Sequence, residues 1–94
     1  MERFTIRWSD GGFMIADETK VQHDARGYYG DAIDKLAKFE NLCDDLRAKQ
    51  AAISKELESL RSDGKTHSAK FRQLLGNKIT NSHVLTLLES SGLL

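Results

Sequence analysis

The longest regular pattern in the chain lies in the stretch DAIDKLAKFENLCDDLRAKQAAISKELESL, residues 31–60. Its mostly apolar positions are separated alternately by four and three residues, which is the heptad spacing of an amphipathic helix that packs along one stripe. These positions are Ala32, Leu36, Phe39, Cys43, Leu46, Gln50, Ile53, Leu57 and Leu60. The pattern predicts one long helix within residues 29–64, which Asp63-Gly64 ends.

A β-hairpin is predicted over residues 3–16, ahead of the helix. Apolar and polar residues alternate along this segment, and Asp10-Gly11 is a favoured two-residue turn. Such a turn places five apolar side chains on one face, namely Phe4, Ile6, Trp8, Phe13 and Ile15. Because an isolated hairpin is marginally stable in water, we expect this face to pack on the N-terminal half of the long helix.

A polar connector joins the predicted hairpin to the helix. Residues 19–23 fit either a third short strand or an irregular segment. Tyr28 and Tyr29 directly precede the helix, and two interpretations of them are open. They either pack the hairpin against the start of the helix, which we favour, or stand exposed as anchors for a partner.

Two shorter helices are predicted after the long one, at residues 66–78 and 81–91. Thr66 is the expected N-cap of the first, and Gly76-Asn77 is expected to end it. Gly92 is expected to close the second, with the residue after it folding back on the last turn.

The predicted fold class is therefore α+β. An N-terminal β-hairpin packs on one long amphipathic helix, and two short C-terminal helices fold back. We expect a single domain over residues 1–94, made of the hairpin and connector (1–28), the long helix (29–64) and the two short helices (65–94).

Composition restricts the functions open to this chain of 94 residues. Lys and Arg total 14 and Asp and Glu total 14, so bulk electrostatic binding to nucleic acid or to a membrane is not expected. The single cysteine, Cys43, cannot form an intramolecular disulfide and fits a reducing cytoplasm. No apolar run approaches the roughly 20 residues that cross a bilayer, and the N-terminus does not read as a signal peptide. We therefore expect a cytoplasmic protein that makes no membrane contact.

The heptad stripe admits two compatible interpretations. Either the C-terminal helices cover it within one chain, or part of it pairs with a second copy as a coiled coil. The candidate positions for such a homodimer are Leu46, Gln50, Ile53, Leu57 and Leu60. Gln50 is the polar member, and a buried amide needs a hydrogen-bonding partner. It either sets the register between two chains or marks where the stripe becomes exposed.

Basic residues predominate near the C-terminus, where Glu89 is the one acid from residue 65 onward. The candidate partner-binding residues there are Lys65, Lys70, Arg72 and Lys78. They suit nucleic-acid phosphates or an acidic protein face, although a solvated helix surface is the simpler interpretation.

Catalytic chemistry has little support in the sequence. The three histidines are far apart, and Cys43 lies on the apolar stripe. Neither arrangement has the spacing of a metal site or of a nucleophile with its base. We predict no catalytic, cofactor-binding or metal-binding residue, no cofactor and no enzymatic activity.

Two segments resemble small accessory proteins of phages and mobile elements of Gram-positive bacteria. The first is YGDAIDKLAKFE, residues 29–40, which follows the predicted hairpin. The second is DGKTHSAKFRQLLG, residues 63–76, together with Asn81 and the terminal Gly92-Leu93. The resemblance implies an anti-defence protein in the host bacterial cell, in particular an anti-CRISPR protein that binds a type II effector nuclease complex stoichiometrically. It assigns no binding residue, because no residue of this chain matches a known inhibitor motif.

Two other functions fit the same residues. One is a coiled-coil scaffold or adaptor that dimerises through the heptad stripe, which light scattering would detect as a dimer. The other is a small nucleic-acid-binding regulator that uses the four basic residues, and its binding would weaken steeply with salt.

Overall fold

A computed structural model describes all residues from 1 to 94. It contains two antiparallel two-stranded sheets followed by two helices, so the fold class is α+β as predicted. The strands are β1 (Ile6–Arg7), β2 (Phe13–Met14), β3 (Gln22–Asp24) and β4 (Gly27–Tyr29), and the helices are α1 (Asp31–Ser62) and α2 (Ala69–Ser90). The chain divides into two compact units, the N-terminal unit (Met1–Asn41) and the C-terminal unit (Leu42–Leu94). A single domain over 1–94 stays a prediction.

The first hairpin joins β1 to β2, and its register differs from the predicted one by one residue. Ile6 pairs with Met14, and Arg7 pairs with Phe13. Paired residues lie on the same face of a sheet, so Phe13 shares a face with Arg7 instead of with Ile6. The predicted single apolar face is therefore wrong, and this hairpin carries apolar side chains on both faces.

The loop of this hairpin explains the shift. The Trp8 N–H donates to the Gly12 carbonyl at 2.7 Å, which leaves three loop residues, 9–11, instead of two. Gly11 has φ = 92°, and no non-glycine residue of the chain has positive φ. The predicted two-residue turn requires positive φ at Asp10 as well. The three-residue loop requires it only at the glycine, where it is least costly.

The strand faces of the first hairpin do not pack on the helix as predicted. Its four large apolar side chains are exposed, namely Ile6, Trp8, Phe13 and Met14. The observed contacts with α1 come from residues ahead of β1. Lys35 donates from Nζ to the Glu2 carbonyl at 2.9 Å, and the same ammonium lies 5.1 Å from the centroid of the Phe4 ring.

The second hairpin, β3–β4, begins inside the segment 19–23 that fitted either a strand or a connector, and it extends to Tyr29. His23 pairs with Tyr28, and Asp24 pairs with Gly27. The Asp24 carboxylate stabilises the turn by accepting from the Arg26 backbone N–H at 2.8 Å and from the Arg26 Nη2 at 2.7 Å. These hydrogen bonds hold the pKa of the Asp24 carboxyl below its usual value. A short acidic side chain bonded to its own turn is a common device for fixing hairpin geometry.

Gly30 joins β4 to α1 at a point where a side chain does not fit. Its φ is 129°, and a Cβ atom built there lies 2.5 Å from the Lys20 carbonyl oxygen. That oxygen accepts the Ala32 N–H at 3.1 Å, which satisfies one of the free donors at the start of a helix. Lys20 also pairs with Asp31 at 3.4 Å, so the segment before β3 is fixed to the first turn of α1.

We expect the substitution Gly30→Ala to destabilise the N-terminal unit by about 3 kcal/mol, because it combines an unfavourable φ with a backbone collision. Gly12→Ala is the matched control, since Gly12 has no positive φ and open space around its Cβ position. Amide NMR spectra of the two variants show whether the N-terminal unit loses its native structure in Gly30→Ala and keeps it in Gly12→Ala. A native spectrum for Gly30→Ala would contradict the close approach to Lys20.

Helix α1 is a single helix of 32 residues, as the heptad pattern predicted. Glycine ends both helices, with φ = 71° at Gly64 and φ = 78° at Gly92. In each case the residue after the glycine donates its N–H to a carbonyl five residues earlier, Lys65 to Leu60 at 2.8 Å and Leu93 to Leu88 at 2.9 Å. These are Schellman caps, and both ends were predicted from the glycines.

One helix, α2, replaces the two short C-terminal helices that the sequence predicted. It continues through Gly76-Asn77 without a break, and its N-cap is Ser68 instead of Thr66. The predicted break was wrong because a glycine inside a helix costs only about 1 kcal/mol. Burying apolar side chains on both sides of that point, including Phe71 and Leu85, outweighs this cost.

Helices α1 and α2 pack antiparallel in the C-terminal unit, and two polar contacts show the direction. Gln50 donates from Nε2 to Ser82 Oγ at 2.9 Å, whereas Glu56, further along α1, pairs with Lys70 at 2.7 Å. The core of the chain consists of Cys43, Leu46, Leu57 and Phe71. All four of these buried side chains belong to the C-terminal unit, so the N-terminal unit has no fully buried side chain.

Candidate protein-binding surface

The most exposed aromatic side chain of the chain, Tyr28, lies on the second hairpin beside a second exposed tyrosine. We call residues 22–29 the tyrosine hairpin. Tyr28 is 69% exposed and Tyr29 is 42% exposed. The favoured interpretation, in which both pack the hairpin against the helix, is therefore wrong. The structure agrees with the alternative interpretation, in which both tyrosines are exposed.

Neighbouring side chains hold both tyrosines in place. The His23 and Tyr28 rings are cross-strand neighbours with centroids 4.6 Å apart and an angle of 48° between their planes. The Arg26 guanidinium lies 5.9 Å from the centroid of the Tyr29 ring, within the range of a cation–π contact. Arg26 is also paired with Asp24, whose carboxylate accepts from its Nη2 at 2.7 Å.

This composition is typical of the energetic centre of protein interfaces. Tyrosine and arginine are enriched there, because they bring large contact areas and hydrogen-bonding ends at a modest entropic cost. Arg26, Gly27, Tyr28 and Tyr29 line an open depression of about 310 Å³.

The N-terminal unit carries more acidic than basic side chains. Residues 1–41 carry six basic and eight acidic side chains. The basic side chain nearest the tyrosines, Arg26, is already paired with Asp24 at 2.7 Å. Binding along a phosphate backbone requires an excess of free cations, which this unit does not have.

No protein-family model, curated protein or solved structure matches this chain.

Exposed apolar side chains also lie on both faces of the first hairpin. We call Ile6, Trp8, Phe13 and Met14 the hairpin patch. Trp8 is 50% exposed and Phe13 is 61% exposed. The sequence identified all but one of these residues, Met14, but expected them in a buried face.

The four basic residues proposed as a binding surface lie at different positions around α2 and ahead of it. Lys70 is paired with Glu56, and the carbonyl of Lys78 accepts from Gln50 Nε2 at 3.1 Å on the side facing α1. Arg72 lies two residues from Lys70, which is about 200° around a helix of 3.6 residues per turn. Lys65 precedes α2 altogether. Their role in partner binding stays a prediction.

The proposed self-association stripe faces α2 within the same chain. Leu57 is 1% exposed and Leu46 is also buried, while Ile53 and Leu60 are half-buried. A second copy reaches the buried Leu46 and Leu57 only if α2 is displaced. Self-association through this stripe stays a prediction.

The Gln50 side-chain amide has hydrogen-bonding partners at its nitrogen but not at its oxygen. Its Nε2 donates to Ser82 and to the Lys78 carbonyl, whereas its buried Oε1 has no partner. A polar layer of this kind favours one register between two helices at some cost in stability. The amide therefore has a structural explanation within one chain.

The structure contains no group of three His, Cys, Asp or Glu side chains that would hold a metal ion. Cys43 is a buried free thiol in the core between the helices. Neither helix combines the length and apolar character that crossing a membrane requires.

Proposed function

We propose that this protein acts by binding another protein stoichiometrically through the tyrosine hairpin, and that it is not an enzyme. One observation carries the proposal. The N-terminal unit has no fully buried side chain, yet it presents two exposed tyrosines, one against the His23 ring and one beside the Arg26 guanidinium. Ordered exposed aromatics supply affinity when a partner covers them, because little side-chain freedom remains to be lost.

The resemblance to small phage and mobile-element proteins supports an anti-defence role for this binding. On that basis we propose that the partner is a type II effector nuclease of a CRISPR system, bound in the cytoplasm of the host bacterium. The antiparallel helices α1 and α2 supply the chain's buried core, and the tyrosine hairpin supplies the contact.

Co-expression with a panel of guide-loaded type II effector nucleases tests this proposal. We expect the protein to co-purify with at least one of them in a fixed ratio and to reduce its DNA cleavage. The double variant Tyr28→Ala/Tyr29→Ala is expected to lose both effects while its circular dichroism spectrum stays unchanged. Unchanged cleavage and no co-purification across the panel would remove the proposed partner class.

A further inference from the structure

Lys20 lies just before β3, and each of its polar groups contacts a different part of the N-terminal unit. Its N–H donates to the Asp17 carbonyl at 3.0 Å, and its carbonyl accepts the Ala32 N–H at 3.1 Å. Its ammonium pairs with Glu2 at 3.3 Å and with Asp31 at 3.4 Å. The N-terminus, the turn before β3 and the first turn of α1 therefore meet at this one residue.

The aromatic ring of Phe4 gives the Lys20 ammonium a further contact. Lys20 Nζ lies 5.7 Å from the ring centroid and Lys35 Nζ lies 5.1 Å from it, so two cations contact one ring. The Lys20 side chain is 24% exposed, less than any other cationic side chain that forms an ion pair in the chain. Its contacts therefore differ from those of a freely solvated surface lysine.

The tyrosine hairpin depends on contacts at its base, because none of its own side chains is buried. A two-stranded hairpin of this kind is marginally stable in water. Its first strand follows Lys20 directly after Val21, and Gly30, which follows its second strand, approaches the Lys20 carbonyl oxygen so closely that no Cβ fits. Both ends of the hairpin therefore meet at Lys20.

We propose that Lys20 is a positioning residue, whose ammonium fixes the orientation of the tyrosine hairpin on the first turn of α1 and so presents Tyr28 and Tyr29 to the partner. Its effect on binding rests on the function proposed above, whereas its effect on orientation does not. Lys20 acts through the hairpin backbone. A hairpin that is already oriented loses less conformational freedom on binding, so the two ion pairs of the free chain raise the affinity.

NMR of the free protein tests the orientation without any partner. In the unchanged chain, residual dipolar couplings of the β3 and β4 amides are expected to fit one alignment tensor with those of residues 31–38. In Lys20→Met, which keeps an unbranched apolar stem, this common fit is expected to fail, and the hairpin order parameters to fall from about 0.85 toward about 0.6. Lys38→Met is the matched control, because Lys38 is an exposed lysine of α1 without an ion pair. Unchanged couplings and order parameters in Lys20→Met would overturn the inference.

Lys20→Arg separates the charge from the side chain that carries it. The arginine keeps the positive charge beside both carboxylates, so it is expected to retain the common fit, and a loss as complete as in Lys20→Met would contradict a role for the charge. If Lys20→Met disorders the whole hairpin, Glu2→Gln replaces it, since it removes one ion pair and leaves the pair with Asp31. A smaller loss of orientation is expected there, and none would overturn the inference.

The affinity for a nuclease captured by co-expression tests the consequence for binding. Lys20→Met is expected to weaken binding about five- to tenfold, a factor that corresponds to two exposed ion pairs of ordinary strength. Lys20→Arg and Lys38→Met are expected to stay within about twofold of the unchanged chain. An unchanged affinity of Lys20→Met would overturn the inference. If no nuclease is captured, the proposed partner class fails, and the measurements on the free protein still decide whether Lys20 orients the hairpin.

Discussion

Leu57→Ala is expected to lower the free energy of unfolding of the C-terminal unit by about 2–5 kcal/mol, the usual cost of truncating a buried leucine. Leu57 is the most buried side chain of the chain, at 1% exposure, and it lies in a core of only four residues. Small domains have roughly 0.05–0.15 kcal/mol of stability per residue. The substitution therefore removes a large share of the total.

Leu42→Ala is the matched control for this prediction. Leu42 is the same residue type on the same helix, but it is 51% exposed, and we expect a cost below about 1 kcal/mol. Urea denaturation followed by circular dichroism at 222 nm compares the two variants. Equal midpoints for both would mean that α2 does not cover the stripe of α1 in solution.

The long helix could be predicted from the sequence because its signals agree with one another. The heptad spacing continues from Cys43 to Leu60 without a glycine or proline, and Asp63-Gly64 follows at the end. Burial confirms this part of the stripe, whereas Leu36, one heptad earlier, is 53% exposed. Periodicity identifies the helix and its apolar stripe, but it does not show how far along the stripe the covering helix reaches.

The hairpin register and the unbroken α2 were missed for related reasons. Two loops fit Asp10-Gly11, and the pattern of apolar residues favoured the one that aligned them all on a single face. Only the φ angles separate the two, since Asp10 avoids the positive φ that the shorter loop requires. At Gly76 the low helix propensity of glycine is outweighed by the burial of α2 side chains, and that burial depends on α1, a different segment of the chain. Neither the loop of the first hairpin nor the continuity of α2 can be predicted from a window of neighbouring residues.

The second hairpin did carry a signal that the sequence analysis did not use. Aspartate at the first position of a type I turn and glycine at the fourth are favoured, and Asp24 and Gly27 have this spacing. With that turn recognised, Tyr28 falls on a strand opposite His23 instead of beside the helix. The exposed tyrosines, which are central to the proposed function, depend on this one turn.

The uneven distribution of burial links the fold to the proposed function. Every fully buried side chain lies in the C-terminal unit, so the N-terminal unit depends on turns, ion pairs and partial burial. A partner that binds only the ordered form stabilises it by mass action. We therefore propose that the exposed apolar side chains of this unit are kept for contacts with other chains.

Tyr28→Ala is expected to weaken binding of the captured partner by about 30-fold or more, the effect of removing a side chain worth at least 2 kcal/mol at an interface centre. The expectation rests on its 69% exposure and on its fixed position beside the His23 ring. Because the side chain is mostly exposed in the free protein, its loss should change the unfolding free energy by less than about 0.5 kcal/mol. Interferometry with the immobilised partner at submicromolar protein measures the affinity.

Leu87→Ala serves as the control for this measurement. Leu87 is 66% exposed, close to the value for Tyr28, but it lies on α2 in the C-terminal unit and belongs to neither exposed patch. We expect its affinity for the partner to stay within about twofold of the unchanged chain, since a truncated side chain outside the contact costs a partner little. If both substitutions weakened binding equally, exposure of apolar surface in general would explain the affinity, and the tyrosine hairpin would not be the contact. A loss confined to Tyr28→Ala, with stability unchanged, assigns the binding energy to this ring.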